Sequence, residues 1–385
     1  MEGLGAMTKW IDAFRERSVF LTGHTGFKGS WLALWLNRLG ARVTGYSLPP
    51  PTDPSNFATS GIEGLLTRYV KGDVRDAEGI QNSMEACRPD VIFHLAAQTL
   101  VRQSYTDARE TFETNILGTV NVLEAVRNMR RPCVVIIVTS DKCYENRAPG
   151  RRHQESDPLN GSDPYSASKA AAEIVTEAYR ASFFSPDNLH AHGIKLASVR
   201  AGNAIGGGDW AKDRIVPDSI KALIAGQPIS MRNPQSIRPW QHVLEPLSGY
   251  LTLAARMLEN DDGRLCGGWN FGPRAEDEAT VHELVQMLLD AWGGTRWEYT
   301  KDANQPREEH VLRLSTDKAE KELGWHSRWS IEETVQHTVE WYQGFHASPK
   351  KSTWDACMHD IVEYESVIRN EDGDLQPALE HTHKA

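Results

Sequence analysis

Cysteine is scarce in this sequence: five residues (Cys87, Cys133, Cys143, Cys266 and Cys357) are scattered over 385 positions. Their odd number, with no C-x-x-C or ligand-type spacing, excludes a disulfide framework and a cysteine-rich metal centre. It leaves the reduced thiols of a cytoplasmic protein as the expectation. Also missing is any apolar run of the roughly 20 residues that a membrane-spanning helix needs, so no membrane partner is expected. The N-terminus lacks the short apolar core of a secretory signal. Residues 1–6 read as a leader ahead of a second possible start at Met7. Excess positive charge is absent too. At a net charge of −10 the chain has no broad basic face for a nucleic acid, whereas a few local arginines suffice to hold a small anion. There is no internal repeat and no low-complexity segment.

What is present alternates. Ser18 to Thr22 is a short β-favouring run that stops at Gly23. Trp31, Leu32, Leu34, Trp35, Leu36 and Leu39 then recur at helical spacing up to Gly40, where a glycine suits the residue after a helix end. Arg42 to Tyr46 reads as strand, halted by Pro49, Pro50 and Pro51. The pattern repeats with a strand at 90–95, a helix at 112–126, a fully apolar strand at 133–139, a helix at 166–181 and a strand at 194–199. Strands apolar on both faces and separated by helices predict an α/β protein, a Rossmann-type doubly wound parallel sheet. From about Gly202 the texture shifts to glycine, proline and arginine loops with helical patches at 217–225 and 280–292. The expected organisation is a leader and first helix (1–16), a dinucleotide-binding domain (17–201), a smaller C-terminal substrate-binding lobe (202–345) and a polar tail (346–385) whose last dozen residues are expected to be disordered.

Gly23-His24-Thr25-Gly26-Phe27-Lys28-Gly29 lies between the first strand and the first helix. A dinucleotide site needs glycine there for a tight turn and close backbone approach, with the diphosphate resting on the helix N-terminus. All seven residues are therefore candidate cofactor contacts. The acidic residue that usually ends the second strand and binds the adenosine ribose is missing, since that strand ends Gly45-Tyr46-Ser47. No basic residue follows to take a 2′-phosphate, so NAD is preferred to NADP.

Tyr165 and Lys169 stand four apart on a predicted helix, on one face, where an ammonium can lie near a phenol. To act as a base near neutral pH a tyrosine must lose about three units from its ordinary pKa of about 10, and a nearby cation lowers it. Upstream, Thr139-Ser140-Asp141-Lys142-Cys143-Tyr144 follows the most strand-like stretch in the chain, at the strand end where such sheets bind ligands.

These segments, with Phe93-His-Leu-Ala-Ala-Gln98 and Asn115-Ile-Leu-Gly-Thr119, resemble the extended short-chain dehydrogenase/reductase family over residues 17–344. The resemblance implies that Ser140 hydrogen-bonds the hydroxyl being oxidised, that Tyr165 is the base and that Lys169 tunes it. It further implies cofactor contacts at Asp73, Val74, Ala96, Ala97, Gln98 and Asn115. Hexose 4,6-dehydratases of this family carry an acid–base pair after the Ser or Thr. Here the pair is Asp141-Lys142, which departs from the Asp-Glu of the dTDP-glucose members and resembles the CDP-glucose members. What this implies is a NAD-dependent lyase acting on CDP-glucose in deoxysugar biosynthesis, with Asp141 the acid and Lys142 the base. A UDP-sugar 4-epimerase, a dehydratase of another nucleotide sugar and a non-catalytic NAD-binding scaffold are the alternatives. By the same resemblance Asn203, Arg214, Val216, Arg232, Arg238, Trp240, His242 and His310 are candidate substrate contacts, and Arg200 opens one of the segments expected to grip the nucleotide. No metal ligands are expected. A homodimer is expected through the helices at 112–126 and 166–181.

Overall fold

The computed structural model describes residues 12–146, 150–294, 296–300 and 311–371. Seven strands form one sheet: β1 (Ser18–Thr22), β2 (Arg42–Ser47), β3 (Arg68–Lys71), β4 (Val91–His94), β5 (Cys133–Val138), β6 (Ile194–Ala201) and β7 (Gly268–Phe271). The order is β7-β6-β5-β4-β1-β2-β3 with every pair parallel. The order reverses between β1 and β4, and a doubly wound sheet opens its ligand crevice at that point. The predicted α/β class is the observed one.

Helices cover both faces. They are α1 (Phe27–Arg38), α2 (Ala77–Cys87), α3 (Gly118–Met129), α4 (Pro164–Ser182), α5 (Ile215–Ile224), α6 (Leu244–Glu259), α7 (Val281–Trp292), α8 (Ile331–Ala347) and α9 (Trp354–Glu371). Local chemistry sets their ends. Asp163 accepts a hydrogen bond from Ser166 N at 2.9 Å and Pro164 supplies the first helical residue of α4, a favourable start for a helix. Thr280 and Glu283 close a reciprocal capping box on α7. Gly40 takes φ +77° just beyond α1, as its position in the sequence suggested. Among the described residues no helix is long and apolar enough to cross a membrane.

Two features depart from the expected organisation. The sheet is completed from the region read as substrate lobe, because β7 pairs with β6 and the buried α6 packs beneath the sheet. And the tail is not merely polar. Cys357, Ile361, Tyr364 and Ile368 recur at helical spacing on α9 and are all buried, so the apolar stripe outweighs the polar majority. The last dozen residues lie outside those described. On the other side of the chain, Phe14 is fully buried and meets Phe93.

α9 is tied to α1 by charge. The Glu365 carboxylate accepts from Trp35 Nε1 at 3.0 Å and from Arg38 Nη2 at 3.0 Å, while the Arg38 side chain is only partly covered. Removing Arg38 leaves the buried carboxylate with only Arg369, at 3.8 Å, as counter-charge, which is more damaging than losing the pair altogether. Arg38→Met is therefore expected to lower stability by about 2 kcal/mol, and Arg38→Met/Glu365→Met to recover most of that loss, both read from urea unfolding midpoints.

Candidate active site

A cavity of about 730 Å³ opens at the switch point. Its walls are the glycine loop before α1, the ends of β4 and β5, the start of α4, and the loops around 203–218 and 230–240. Of the predicted catalytic residues, Ser140, Asp141, Lys142, Tyr165 and Lys169 all line it. So do Gly23, Thr25, Gly26, Phe27, Lys28, Gly29, Asp73, Val74, Ala96, Ala97 and Gln98 of the cofactor set, and Asn203, Arg214, Val216, Arg232, Arg238 and Trp240 of the substrate set.

Four expectations are displaced. The His24 ring turns into the protein, edge-on to Phe57 and Tyr69 and beneath Gly45, and His24 is the one residue of the glycine loop that does not line the cavity. Asn115 is buried behind the wall, where it binds Gln98 N at 2.8 Å, Gln98 O at 3.0 Å and Ser168 Oγ at 2.8 Å. It sits in a single π-helical turn, Glu113–Leu117, just before α3, and it positions Gln98 rather than touching a ligand. His242 is fully buried among Trp31, Trp329 and His337, off the cavity. Arg200 grips no ligand either: it points into the core. His310 lies outside the described residues.

The residues fit a dinucleotide. Gly26 caps α1 without a side-chain hydrogen bond and no acidic residue follows in the first turn, leaving free N–H groups and the positive end of the helix dipole at the cavity wall. The loop has no room for side chains: a Cβ on Gly29 would stand 2.1 Å from the Gly23 carbonyl oxygen, and one on Gly23 would stand 2.6 Å from Ala96 N. Where an acidic residue was missed in the sequence stands Ser47, its hydroxyl 2.8 Å from Thr25 Oγ1. Asp73, also on the wall, is clamped by Arg75 at 2.6 Å.

The catalytic groups bias one another. Burial pushes Tyr165 up to about 12, against a hydrogen bond with Ser140. Burial, reinforced by Lys28, drops Lys169 to about 8, and Lys169 Nζ donates to Val138 O at 3.2 Å. Burial also lifts the Asp141 carboxyl above its ordinary range, more than Lys142, the Ser140 hydrogen bond, Arg238 and Lys28 pull it down. Asp141 Oδ1 accepts from Ser140 Oγ at 2.9 Å, and Oδ2 has no hydrogen-bond partner among the described residues. Such a carboxyl gives up its proton less readily than an exposed one and has an oxygen to spare for a ligand.

Sequence reasoning passed over Glu173 and expected Lys28 only as a cofactor contact. Glu173, one turn beyond Lys169, is buried below the strand ends, where it pairs with Arg200 at 2.7 Å and accepts from Thr139 and Ser198. Burial pushes its carboxyl up, but Arg200 and these hydrogen bonds outweigh that and hold it below the ordinary range. Lys28, expected from the sequence as a cofactor contact, also stands near the catalytic cluster, its ammonium 5.9 Å from the Tyr250 ring centre and its charge felt by Asp141 and Lys169. Burial and then Arg214 drop it to about 8, against Asp141. Between pH 8 and the ordinary lysine value of 10.5 the unfolded chain thus binds more protons at this residue than the folded one. The penalty for burying the charge is fully present below pH 8 and fades as pH rises through that window. Lys28→Met should accordingly be more stable than the parent at pH 7, by on the order of 1 kcal/mol. The advantage should disappear by about pH 10.5 in urea titrations at several pH values.

Comparison with known proteins places this geometry. Residues 20–338 match the family model described as GDP-mannose 4,6 dehydratase. The chain is 49% identical over 332 residues to the CDP-glucose 4,6-dehydratase of Salmonella typhimurium, covering 86% of this chain and 92% of that one. The dTDP-glucose 4,6-dehydratase DesIV of Streptomyces venezuelae, solved with NAD and TYD bound, superposes with a TM-score of 0.73 at 26% identity, over 86% of this chain and 99% of that one. The UDP-glucose 4-epimerase of Thermotoga maritima shares the fold, with a TM-score of 0.70 at 21% identity over 85% and 98% of the two chains. With a glycine-loop cavity, a Ser-Tyr-Lys set and an acid–amine pair on one wall, and with a family model spanning most of its length, this chain belongs to the GDP-mannose 4,6-dehydratase family of extended short-chain dehydrogenase/reductase enzymes.

Proposed function

We propose that this chain is a NAD-dependent CDP-glucose 4,6-dehydratase, a hydro-lyase that converts CDP-glucose to CDP-4-dehydro-6-deoxyglucose and water. The observation that carries the reading is the placement of a buried carboxyl, Asp141, beside Lys142 and in the same cavity as Ser140 and Tyr165, with burial raising its pKa above the ordinary range. An epimerase has use for the last two but not for the first pair. The 49% identity to the Salmonella enzyme supports cytidine as the base.

When bound against the glycine loop, NAD supplies an acceptor for the C4 hydride that also gives it back at C6, so the reaction has no net oxidation. The chain's own residues handle protons. Ser140 holds the 4-hydroxyl and Tyr165 takes its proton. With Tyr165 at about 12 in the protein alone, its ionisation draws on the positive charge of Lys169 and of the bound ligand. Once C4 is a ketone, the proton on C5 becomes acidic and Lys142 removes it, while Asp141 protonates the departing 6-hydroxyl. Lys28 is a second amine on the same wall, already dropped to about 8, and it is the alternative base.

CDP-glucose deuterated at C4 should give product with deuterium in the C6 methyl group, seen by NMR or mass spectrometry. Label remaining at C4 of a product that keeps its 6-hydroxyl would turn the reading to an epimerase. In D₂O, deuterium should enter C5 with the parent enzyme and not with Lys142→Met. Loss of C5 exchange in Lys28→Met alone would move the base role there. CDP-glucose should exceed dTDP- and UDP-glucose by at least about tenfold in kcat/KM, about 1.4 kcal/mol.

We also propose that the enzyme is a homodimer. Tyr105, Phe112 and Leu117 are exposed on the segments leading into α3, Ile174 on α4 and Phe183 just past its end, at the helices singled out in the sequence, and large apolar side chains left exposed there favour an interaction surface. A Leu117→Glu/Ile174→Glu variant should sediment as a monomer where the parent sediments as a dimer.

A further inference from the structure

The stretch of cavity wall that carries Arg102 and Arg232 holds a negative charge of its own. Asp213 lies on the cavity wall with Arg102 and Arg232. Its Oδ1 is 3.2 Å from Arg232 Nη1 and 3.6 Å from Arg102 Nε. The carboxylate is about half exposed and the two guanidinium groups less so. The next residue turns its charge elsewhere: Arg214 pairs with Asp209 at 2.9 Å and reaches Thr99 at 3.0 Å. The backbone imposes the arrangement, for Asp213 is held at φ +62°, a left-handed conformation that costs most side chains energy and that Asp and Asn tolerate best.

A carboxylate here is at odds with a pocket that takes an anion. A phosphate seeks the same guanidinium donors and can take them bidentately, where Asp213 offers each only Oδ1, so it must break or share these pairs, and it meets repulsion from the carboxylate as it does so. We propose that Asp213 is a built-in counter-anion for the phosphate-binding arginines, a positioning residue that the diphosphate of the substrate displaces. It keeps Arg102 and Arg232 paired between turnovers and limits how tightly the nucleotide product is retained. This rests on the nucleotide-sugar reading above.

The test is calorimetric titration of the NAD-loaded enzyme and of its Asp213→Asn variant with CDP, and separately with inorganic pyrophosphate, at several salt concentrations. Asparagine keeps the left-handed backbone and the shape while removing the charge. The variant should bind both anions about fivefold more tightly, the size expected when two part-exposed ion pairs no longer oppose binding. Its affinity should fall more steeply with salt. KM for CDP-glucose should drop in step while kcat stays level or falls. Unchanged or weaker binding of both anions by Asp213→Asn, with KM raised, would overturn the proposal and leave Asp213 as a brace that helps the arginines hold phosphate. If neither protein binds CDP yet the variant gains affinity for pyrophosphate, the counter-anion stands and the nucleotide-sugar reading falls.

Discussion

One buried carboxylate joins the parts of this enzyme that must stay in register. Glu173 takes hydrogen bonds from Thr139 at the end of β5, from Ser198 on β6 and from Arg200 on the same strand. Arg200 also donates to the Tyr144 hydroxyl at 2.7 Å, and that hydroxyl donates to Asn270 on β7 at 2.7 Å. Three strands, α4 and both flanks of the Ser140-Asp141-Lys142 turn are thereby bound to a single charge pair. A buried ion pair adds little net stability over an apolar substitute, but removing one partner costs about 3–5 kcal/mol. The pair therefore specifies geometry. It holds the strand end that carries the serine, acid and amine against the helix that carries Tyr165 and Lys169.

The groups above that pair are tuned by shared desolvation more than by any one contact. The same low-polarity enclosure moves lysines toward their neutral form and carboxyls and phenols toward theirs. Lys28 and Lys169 at about 8 and Asp141 above its usual range are three readings of one environment. The protein thus assembles proton donors and acceptors whose charged forms are each less favoured than in water, although lysines at about 8 still carry most of their charge at pH 7. For Tyr165 alone this works against catalysis, and the remaining positive charge has to arrive with the ligand.

Most of the sheet and the catalytic wall were legible in the sequence because they rest on local rules. Apolar strands buried on both faces, a glycine turn before a helix, and a Tyr and Lys one helical turn apart each state their role within a few residues. What failed was inference by adjacency. Arg200, His24 and His242 stand in segments that contribute to the cavity, yet backbone geometry turns those side chains the other way. A signal for Glu173 did exist: a carboxylate among Lys169, Ala170, Ala172 and Thr176 on the buried face of α4 demands a buried cation, and Arg200 on a strand buried along its whole length demands an anion. α9 was missed because polar residues outnumber apolar ones over the tail as a whole, although the spacing of the apolar residues within 354–371 was there to read.

The contacts of α9 have a temporal consequence. Asn56 on the cavity wall, past the point where β2 lacks its acidic residue, accepts from Cys357 Sγ, and Thr353 donates its N–H to Thr59 O while its hydroxyl contacts Ser60. This wall is thus buttressed from 301 residues downstream. A ribosome adds about 5–20 residues per second, so about 15–60 s separate the synthesis of Asn56 from that of its brace. The glycine loop and first strands can fold while the chain is still growing, but this side of the dinucleotide cavity is finished only after nearly all of the chain has been made.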